Sequence, residues 1–527
     1  MNSRSPAGVD ATWTEADERP FATLARNITT RYLAIAVELV IGLVMLPFNL
    51  RHLGQEWYGL WMLTASVTIH FSILDMGFGG ALVNFIARYR AHHDTSALNE
   101  IASTTFFVFA SFGVLAYLII IGLAFNLDHV FRISAVEAQT GQWILLIIGL
   151  NVAANFPFSI FGGIIGGFQR YDINNLVAIV SSIGVAAANV AVLLAGYGVV
   201  ALVAATTAVR IITYFVYRRN AYSIYPALRL RPSLFRRSRL REVTGFSVYS
   251  SIIDWANKLN YELDEVVIGV FLGPGPVAVW AVADRIVSGT QRLTNQSNAV
   301  LFPVVVDSDA TNRTERLQKV LLEGTRLSLA TVLPIAVTLV VLAQPLVLAW
   351  VGPRMIGSAI VIQILALAVA LRVGNATSTT LLKGAGKIRY LAFVNIVTGL
   401  VNLVMSAALV GPLGLPGVAI GTVVPVAVAS IFVLWPAACR RVQLPLGRAF
   451  HHAIWPAIWP GAVVAVLLEM SRRLAPVSFA MVALQAGVAG LLYLLLFSAA
   501  VGRSDRAQYA AKLRELLGPR DGLAPAA

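Results

Sequence analysis

Apolar runs of about 20 residues recur along almost the whole chain, and they restrict its fold more than any other feature. A helix of that length crosses a bilayer, and a chain that is 57% hydrophobic and 13% charged has more apolar surface than a soluble domain buries. The runs lie at residues 29–50, 57–85, 101–125, 143–166, 173–196, 198–217, 243–271, 276–306, 325–350, 356–382, 388–410, 414–439, 453–471 and 476–500. The sequence therefore predicts an all-α, polytopic membrane protein with 14 transmembrane helices.

The spacing of these runs divides the chain into two groups of six helices and a final pair. The expected order is a cytoplasmic tail (1–28), an N-terminal six-helix bundle (29–217), a basic cytoplasmic linker (218–242), a C-terminal six-helix bundle (243–439), helices 13 and 14 (453–500) and a cytoplasmic tail (503–527). Because a polar segment precedes the first run, we expect no cleaved signal peptide. The single cysteine, Cys439, excludes an intramolecular disulfide.

The basic residues predict the orientation of the chain in the membrane. When the 40 Lys and Arg residues are assigned to alternate sides, twenty-nine fall on the side of the termini. Five fall on the other side (Arg51, Arg132, Arg354, Arg472, Arg473), and six fall inside predicted spans (Arg31, Arg210, Lys258, Arg285, Arg292, Arg372). Positive residues concentrate on the cytoplasmic side, so both termini are expected in the cytoplasm. The net charge of +14 then favours anionic membrane lipids as partners, and no nucleic acid.

Charge is concentrated in the stretch from Ser250 to Asn298, which spans two otherwise apolar segments. It carries Asp254, Lys258, Glu262, Asp264, Glu265, Asp284, Arg285 and Arg292. A charge at the centre of a bilayer costs about 2.5–3.5 kcal/mol on insertion scales, so these side chains are expected to face protein or water. They predict a wet internal cavity.

An internal repeat appears when the chain is shifted by 219 positions. Leu53-Gly54 then falls on Leu272-Gly273, Trp61 on Trp280, and Arg170-Tyr171 on Arg389-Tyr390. Because each half has an even number of spans, the two copies have the same orientation, and parallel repeats of this kind are related by an axis along the membrane normal. We therefore expect two bundles in pseudo-two-fold relation that enclose a site.

Several segments resemble the Wzx-type polysaccharide and O-antigen flippases of the multidrug/oligosaccharidyl-lipid/polysaccharide (MOP) exporter superfamily. They are LGQEWYGLWML and SILDMGFGGALVNFIARY in the first repeat, and LDEVVIGVFLG and VAVWAVADRI in the second. The resemblance covers roughly residues 25–440, although Ala278 and Trp280 stand where glycine and tyrosine are expected. It implies two bundles around a V-shaped cavity, lined mainly by transmembrane helices 1, 2, 7 and 8, that opens alternately to each side. It also implies a bacterial inner-membrane protein that flips a polyprenyl-diphosphate-linked oligosaccharide.

The spacing of the charges on these helices fits such a cargo. Arg31 and Glu38 share one face of helix 1, as Arg285 and Arg292 share one face of helix 8. Guanidinium groups bind phosphate oxygens in pairs, and amides and hydroxyls bind sugars. The predicted substrate-binding residues are Arg31, Lys258, Arg285, Arg292, Asn257, Tyr261, Gln291 and Asn295, and the predicted coupling carboxylates are Glu38, Asp75, Asp254 and Asp264. Thr64 and Thr68 are expected on the same face of helix 2 as Asp75.

Other interpretations of the charges and of the function remain open at this stage. Asp254 with Lys258, and Asp284 with Arg285 or Arg292, are alternatively structural ion pairs, and a structural role is favoured for Arg210 and Arg372. A cation-coupled drug antiporter of the MATE type and a lipid II flippase use related folds. A membrane enzyme such as a polymerase or ligase is a further alternative. The longest predicted outer loop, residues 126–142, is however short for a catalytic loop. We expect a monomeric transporter rather than an enzyme, without cofactor or metal, working beside polysaccharide polymerase and glycosyltransferases.

Overall fold

The computed structural model describes residues 20–75, 77–244, 263–294 and 301–502. Within these ranges the chain is helical between short turns and contains no strand, which confirms the all-α prediction. The first helices are α1 (Pro20–Leu53), α2 (Gln55–Ile69), α3 (Phe78–Ala91), α4 (Thr95–Ala124), α5 (Ala135–Gly167), α6 (Tyr171–Leu194) and α7 (Val199–Ile224). They are followed by α8 (Asp264–Phe271), α9 (Pro274–Thr294), α10 (Leu301–Ala310), α11 (Thr314–Trp350), α12 (Gly357–Gly384), α13 (Ile388–Leu413), α14 (Leu415–Arg441), α15 (Leu446–Leu474) and α16 (Phe479–Ala500).

Among the described residues, eleven helices are long and apolar enough to cross a membrane. They coincide with eleven of the fourteen predicted spans, so the prediction of a polytopic membrane protein is confirmed. The predicted second span is broken, and the predicted seventh and eighth spans extend into residues outside the described ranges. The number fourteen therefore stays a prediction.

The predicted continuous helix over residues 57–85 is wrong, because α2 ends at Ile69. A 3₁₀ segment, His70–Asp75, follows, and α3 begins only at Phe78. Gly77 has φ +72°, a left-handed conformation that ends a helix and that glycine adopts at little cost. Thr64 and Thr68 thus belong to α2, whereas Asp75 ends the 3₁₀ segment before α3, and its Oδ1 accepts a hydrogen bond of 3.1 Å from the Gly79 N–H.

The helices form two compact units. One contains the described chain up to Arg285 together with Ala392–Gly421, and the other contains Ile286–Leu391 together with the described chain from Thr422 onward. The division into bundles that the sequence predicts stays a prediction.

Small residues let helices of the first unit approach closely. A Cβ at Gly113 on α4 would lie 2.4 Å from the carbonyl oxygen of Ala153 on α5, and one at Gly167 would lie 2.4 Å from Cγ2 of Ile86 on α3. Such contacts are the usual way in which membrane helices gain packing energy, because lipid supplies no hydrophobic drive between them. The start of α1 is held by charge, since Asp172 on α6 pairs with Arg26 at 3.1 Å.

The segment after α7 is held on the predicted cytoplasmic end of α4 by buried polar side chains. The Asn99 amide donates to the Ala227 carbonyl at 3.0 Å and accepts from the Arg229 N–H at 2.8 Å. Ser103 Oγ donates to the Arg229 carbonyl at 3.1 Å and accepts from the Arg231 N–H at 3.2 Å. The backbone of this segment therefore has partners on α4, as a polar backbone near a buried surface requires.

An ionic cluster at the same end completes the attachment of this segment. Arg239 pairs with Glu100 at 3.2 Å and with Glu242 at 3.1 Å, and its guanidinium lies 5.1 Å from the centre of the Tyr89 ring. The Tyr89 hydroxyl donates to Glu242 at 2.8 Å. Burial and this hydrogen bond raise the pKa of Tyr89 to about 12, so the hydroxyl remains a donor at neutral pH.

The second unit is organised around α11, which packs against α12, α15 and α16. A shared core contains Leu329, Leu342, Val464 and Tyr493, and the buried Tyr493 hydroxyl donates to the Ala457 carbonyl at 2.9 Å. Helices α15 and α16, the predicted pair 13 and 14, are therefore joined to α11 through a common apolar surface.

Candidate functional site

The two Leu-Gly pairs related by the 219-residue shift have the same backbone role. Gly54 has φ +80° and separates α1 from α2, and Gly273 has φ +86° and separates α8 from α9. Helix α2 begins at Gln55 and α9 begins at Pro274, positions that the same shift relates. The repeat predicted from the sequence is thus matched in the backbone at these junctions.

The two junctions also contact each other. The Gln55 amide donates to the Gly275 carbonyl at 3.1 Å, and a Cβ at Gly59 would lie 1.8 Å from the Pro274 carbonyl oxygen. A Cβ at Gly275 would in turn lie 2.6 Å from Glu56 Oε1. Contacts between equivalent positions are what two repeats make where they meet at their symmetry axis. Glycine at 59 and 275 allows the approach.

Arg285 lies on α9 against a gap in α1. A Cβ at Gly42 would lie 1.6 Å from Nη2 of Arg285 and 2.4 Å from its guanidinium carbon. The guanidinium therefore occupies the space that any other residue at 42 would fill, yet Arg285 remains exposed. The predicted transmembrane helices 1 and 8 of the cavity correspond to α1 and α9, and these two helices meet at Arg285.

Tyr58 on α2 lies within electrostatic range of two charges of the second repeat, Arg285 and Glu265. It is 5% exposed, and Glu265 is half-buried on α8. Asp264, a predicted coupling carboxylate, is the neighbouring residue and is buried. Tyr58 lies in the motif EWYGLW, which is one sequence feature that could have identified it. Gly42 lies one helical turn from Glu38 on the charged face of α1. The sequence pattern alone predicts a role for neither residue.

Arg31 and Glu38 both lie on α1 with exposed side chains. Glu38 acts electrostatically on Tyr217 of α7, and neither Arg31 nor Glu38 forms an ion pair with another described residue. The helix is continuous between them, so they do share a face, seven residues apart.

The remaining predicted binding residues are only partly described. Gln291 and Arg292 lie on α9, where Arg292 is exposed and shares a face with Arg285 because the helix is continuous from Pro274 to Thr294. Asp254, Asn257, Lys258, Tyr261 and Asn295 lie outside the described residues. No three His, Cys, Asp or Glu side chains in the described ranges are placed to hold a metal ion.

A cavity of about 590 Å³ lies inside the first unit, between α2, α3, α4, α5 and α7. Asp75 lines it, and so does Arg210, for which a structural role outside the cavity helices is predicted. Its wall includes the aromatic residues Trp61, Phe109, Phe156 and Tyr214 and the amides Asn151 and Asn155, together with hydroxyl and aliphatic side chains. Arg372, the other residue predicted to be structural, is half-buried on α12, with its Nε and Nη2 atoms enclosed.

Residues 24–308 match the family described as polysaccharide biosynthesis protein. Relatives include "Probable flippase AglR" of Haloferax volcanii, 22% identical over 78% of this chain and 82% of that protein. Another is "Putative O-antigen transporter" of Shigella flexneri, 20% identical over 50% of this chain and 62% of that protein.

Solved membrane transporters share the fold. Lipid II flippase MurJ in an inward closed conformation superposes with a TM-score of 0.70 at 12% identity, covering 93% of this chain and 99% of that one. An inward-facing multidrug resistance MATE transporter of the MOP superfamily superposes with a TM-score of 0.62 at 16% identity, covering 78% and 98%. At these identities the likeness concerns the fold alone.

Proposed function

The chain belongs to the polysaccharide biosynthesis protein family, and from that premise we propose that it flips a polyprenyl-diphosphate-linked oligosaccharide from the cytoplasmic to the outer leaflet of the inner membrane by alternating access. The observation that carries the proposal is Arg285, an exposed guanidinium on α9 that α1 accommodates at Gly42, and α9 lies in the predicted eighth span. An exposed cation at membrane depth implies water or a polar ligand beside it. A diphosphate is a ligand that guanidinium groups bind in pairs.

Arg31 and Arg292 are two further exposed cations on the helices that meet at Arg285. Arg292 lies on the same helix as Arg285, and Arg31 lies on α1, which Arg285 contacts at Gly42. We assign Arg31, Arg285, Arg292 and Lys258 to the diphosphate. Asn257, Tyr261, Gln291 and Asn295 are assigned to sugar hydroxyls, because amide and phenol groups both donate and accept hydrogen bonds.

The coupling groups in this proposal are Glu38, Asp75, Asp254 and Asp264, because a carboxylate in a cavity that dries on closing gains a proton more readily. The driving force is an ion gradient, the membrane potential or the cargo gradient. The protein functions as a monomeric transporter with cytoplasmic termini, beside the polymerase and glycosyltransferases that use the same lipid carrier, and it is not an enzyme.

Lipid extraction from a deletion strain tests the proposal. Polyprenyl-diphosphate oligosaccharide should accumulate on the cytoplasmic leaflet, and the wild-type chain should reverse the accumulation. Arg285→Gln should reverse it roughly tenfold less well at equal protein level, because a charge-assisted phosphate contact is lost. The control is Arg354→Gln, an exposed residue after α11.

Unchanged lipid intermediates together with altered drug sensitivity would indicate a MATE-type antiporter instead of a flippase. Accumulation of lipid II instead would assign a peptidoglycan-precursor flippase. Loss of the Arg285→Gln protein rather than of its activity would place Arg285 in a structural ion pair.

A further inference from the structure

The cavity inside the first unit has a polar and an aromatic part. Arg210 on α7 and Asp75 before α3 both line it, but they form no ion pair with each other. Among the described residues, Arg210 has neither a carboxylate partner nor a hydrogen bond, and its electrostatic neighbour is Tyr214, one turn along α7. Arg210 is exposed at this cavity, and a guanidinium there is able to bind an anionic group through paired charge-assisted hydrogen bonds.

Two amides on α5 add hydrogen-bonding groups beside Arg210. Asn151 Oδ1 accepts from the Tyr214 hydroxyl at 2.9 Å, which orients the amide and leaves its N–H groups as donors. Asn155 lies one turn further along α5, is exposed to the cavity, and makes no hydrogen bond to any described residue. These groups are suited to hydroxyls and carboxylates.

Aromatic side chains form the apolar part of the wall. Phe156 packs edge-on against Phe109 with ring centres 6.0 Å apart, and Trp61 of α2 lines the cavity with them. The volume, about 590 Å³, lies within the range of sites that enclose a small organic ligand. A lone ion would not use the aromatic wall, and an acyl chain would leave the amides and Arg210 without partners.

We propose that this cavity binds one acidic sugar unit, with the carboxylate on Arg210, hydroxyls on Asn151 and Asn155, and the ring against the aromatic wall. The inference rests on the proposed function for its biological meaning, since the sugar unit would belong to the glycan of the cargo. The binding itself is testable without transport.

The test uses the full chain in lipid nanodiscs with methyl glucuronide as the probe, titrated by saturation-transfer NMR. Methyl glucuronide should bind saturably, and Arg210→Gln should weaken binding at least about tenfold, because a bidentate charge-assisted contact is lost. Arg219→Gln removes an exposed charge from the same helix and should bind as the wild type does. Methyl glucoside, which lacks the carboxylate, should bind more weakly than the glucuronide.

A second measurement remains informative if Arg210→Gln does not fold. In a Cys439→Ala background, which removes the only cysteine, Asn155→Cys should react with a maleimide, and methyl glucuronide should slow that reaction. Equal protection by methyl glucoside, undiminished glucuronide binding by Arg210→Gln, or no binding at millimolar concentration would each overturn the site. If the deletion strain accumulates no lipid-linked oligosaccharide but methyl glucuronide binds, the proposed function is wrong and the binding site is supported. If the oligosaccharide accumulates but methyl glucuronide does not bind, the binding site is wrong and the proposed function is supported.

Discussion

The guanidinium of Arg285 can lie on α1 only because residue 42 has no side chain. The Cβ of any other residue would stand 1.6 Å from Nη2. Because the obstruction is the end of a flexible side chain, the guanidinium would move rather than the helix. A substitution at residue 42 therefore moves the charge of Arg285 but does not remove it.

Gly42→Ala should reduce transport roughly three- to tenfold while the protein level stays at that of the wild type, because it displaces the proposed phosphate-binding group of Arg285 without removing it. Gly122→Ala on α4 is the matched control, since its methyl group would meet nothing within 4 Å. Both changes favour the helix by about 0.5–1 kcal/mol, so stability does not explain a difference between them. Flipping in liposomes measures the effect, and equal rates for the two variants would show that the guanidinium position is unimportant.

At the scale of elements, hydropathy located the spans but not their interruptions. The run over 57–85 is apolar throughout, and the break at His70–Asp75 depends on local hydrogen bonds and on the left-handed Gly77. His70 Nδ1 lies 2.7 Å from the Ser66 carbonyl oxygen, a contact that competes with helix continuation. By contrast, the predicted separation of the runs 388–410 and 414–439 is present, because Gly414 takes φ +63° between α13 and α14.

The segment after α7 gives a test at the scale of elements, because its backbone is bound by side chains of α4. Asn99 and Ser103 make four hydrogen bonds to it, and each is worth about 1 kcal/mol net. The double change Asn99→Ala, Ser103→Ala should therefore make trypsin cleave at Arg229 or Arg236 at least about tenfold faster in membranes.

Ser111→Ala is the control for this experiment, since its Oγ bonds only within α4, to the Phe107 carbonyl at 3.0 Å. Cleavage of the double variant at the wild-type rate would mean that α4 does not hold the segment. Faster cleavage of Ser111→Ala would mean that the helix itself had loosened.

At the scale of the whole molecule, the repeat was the most productive prediction from sequence. The 219-residue shift relates the starts of α2 and α9 and the left-handed glycines before them, because a turn of that kind leaves a clear mark in sequence. The cavity between α2, α3, α4, α5 and α7 left no such mark. Arg210 was assigned to the scaffold from its place on one helix, whereas its surroundings come from four others.

The membrane topology of the chain can be tested with reporter fusions. The twenty-nine to five distribution of basic residues predicts that reporters fused after Arg231, Arg316 and Lys387 lie in the cytoplasm, and that those after Gly273 and Gly352 lie outside. Gly273 and Gly352 stand in left-handed turns between helices, and Arg231 and Arg316 lie between or at the start of helices, so fusions there leave the spans whole. Since each half has an even number of predicted spans, Gly54 and Gly273 must lie on one side, as the contact between their junctions also requires. A cytoplasmic signal after Gly273 would contradict both the count of fourteen spans and the parallel repeat.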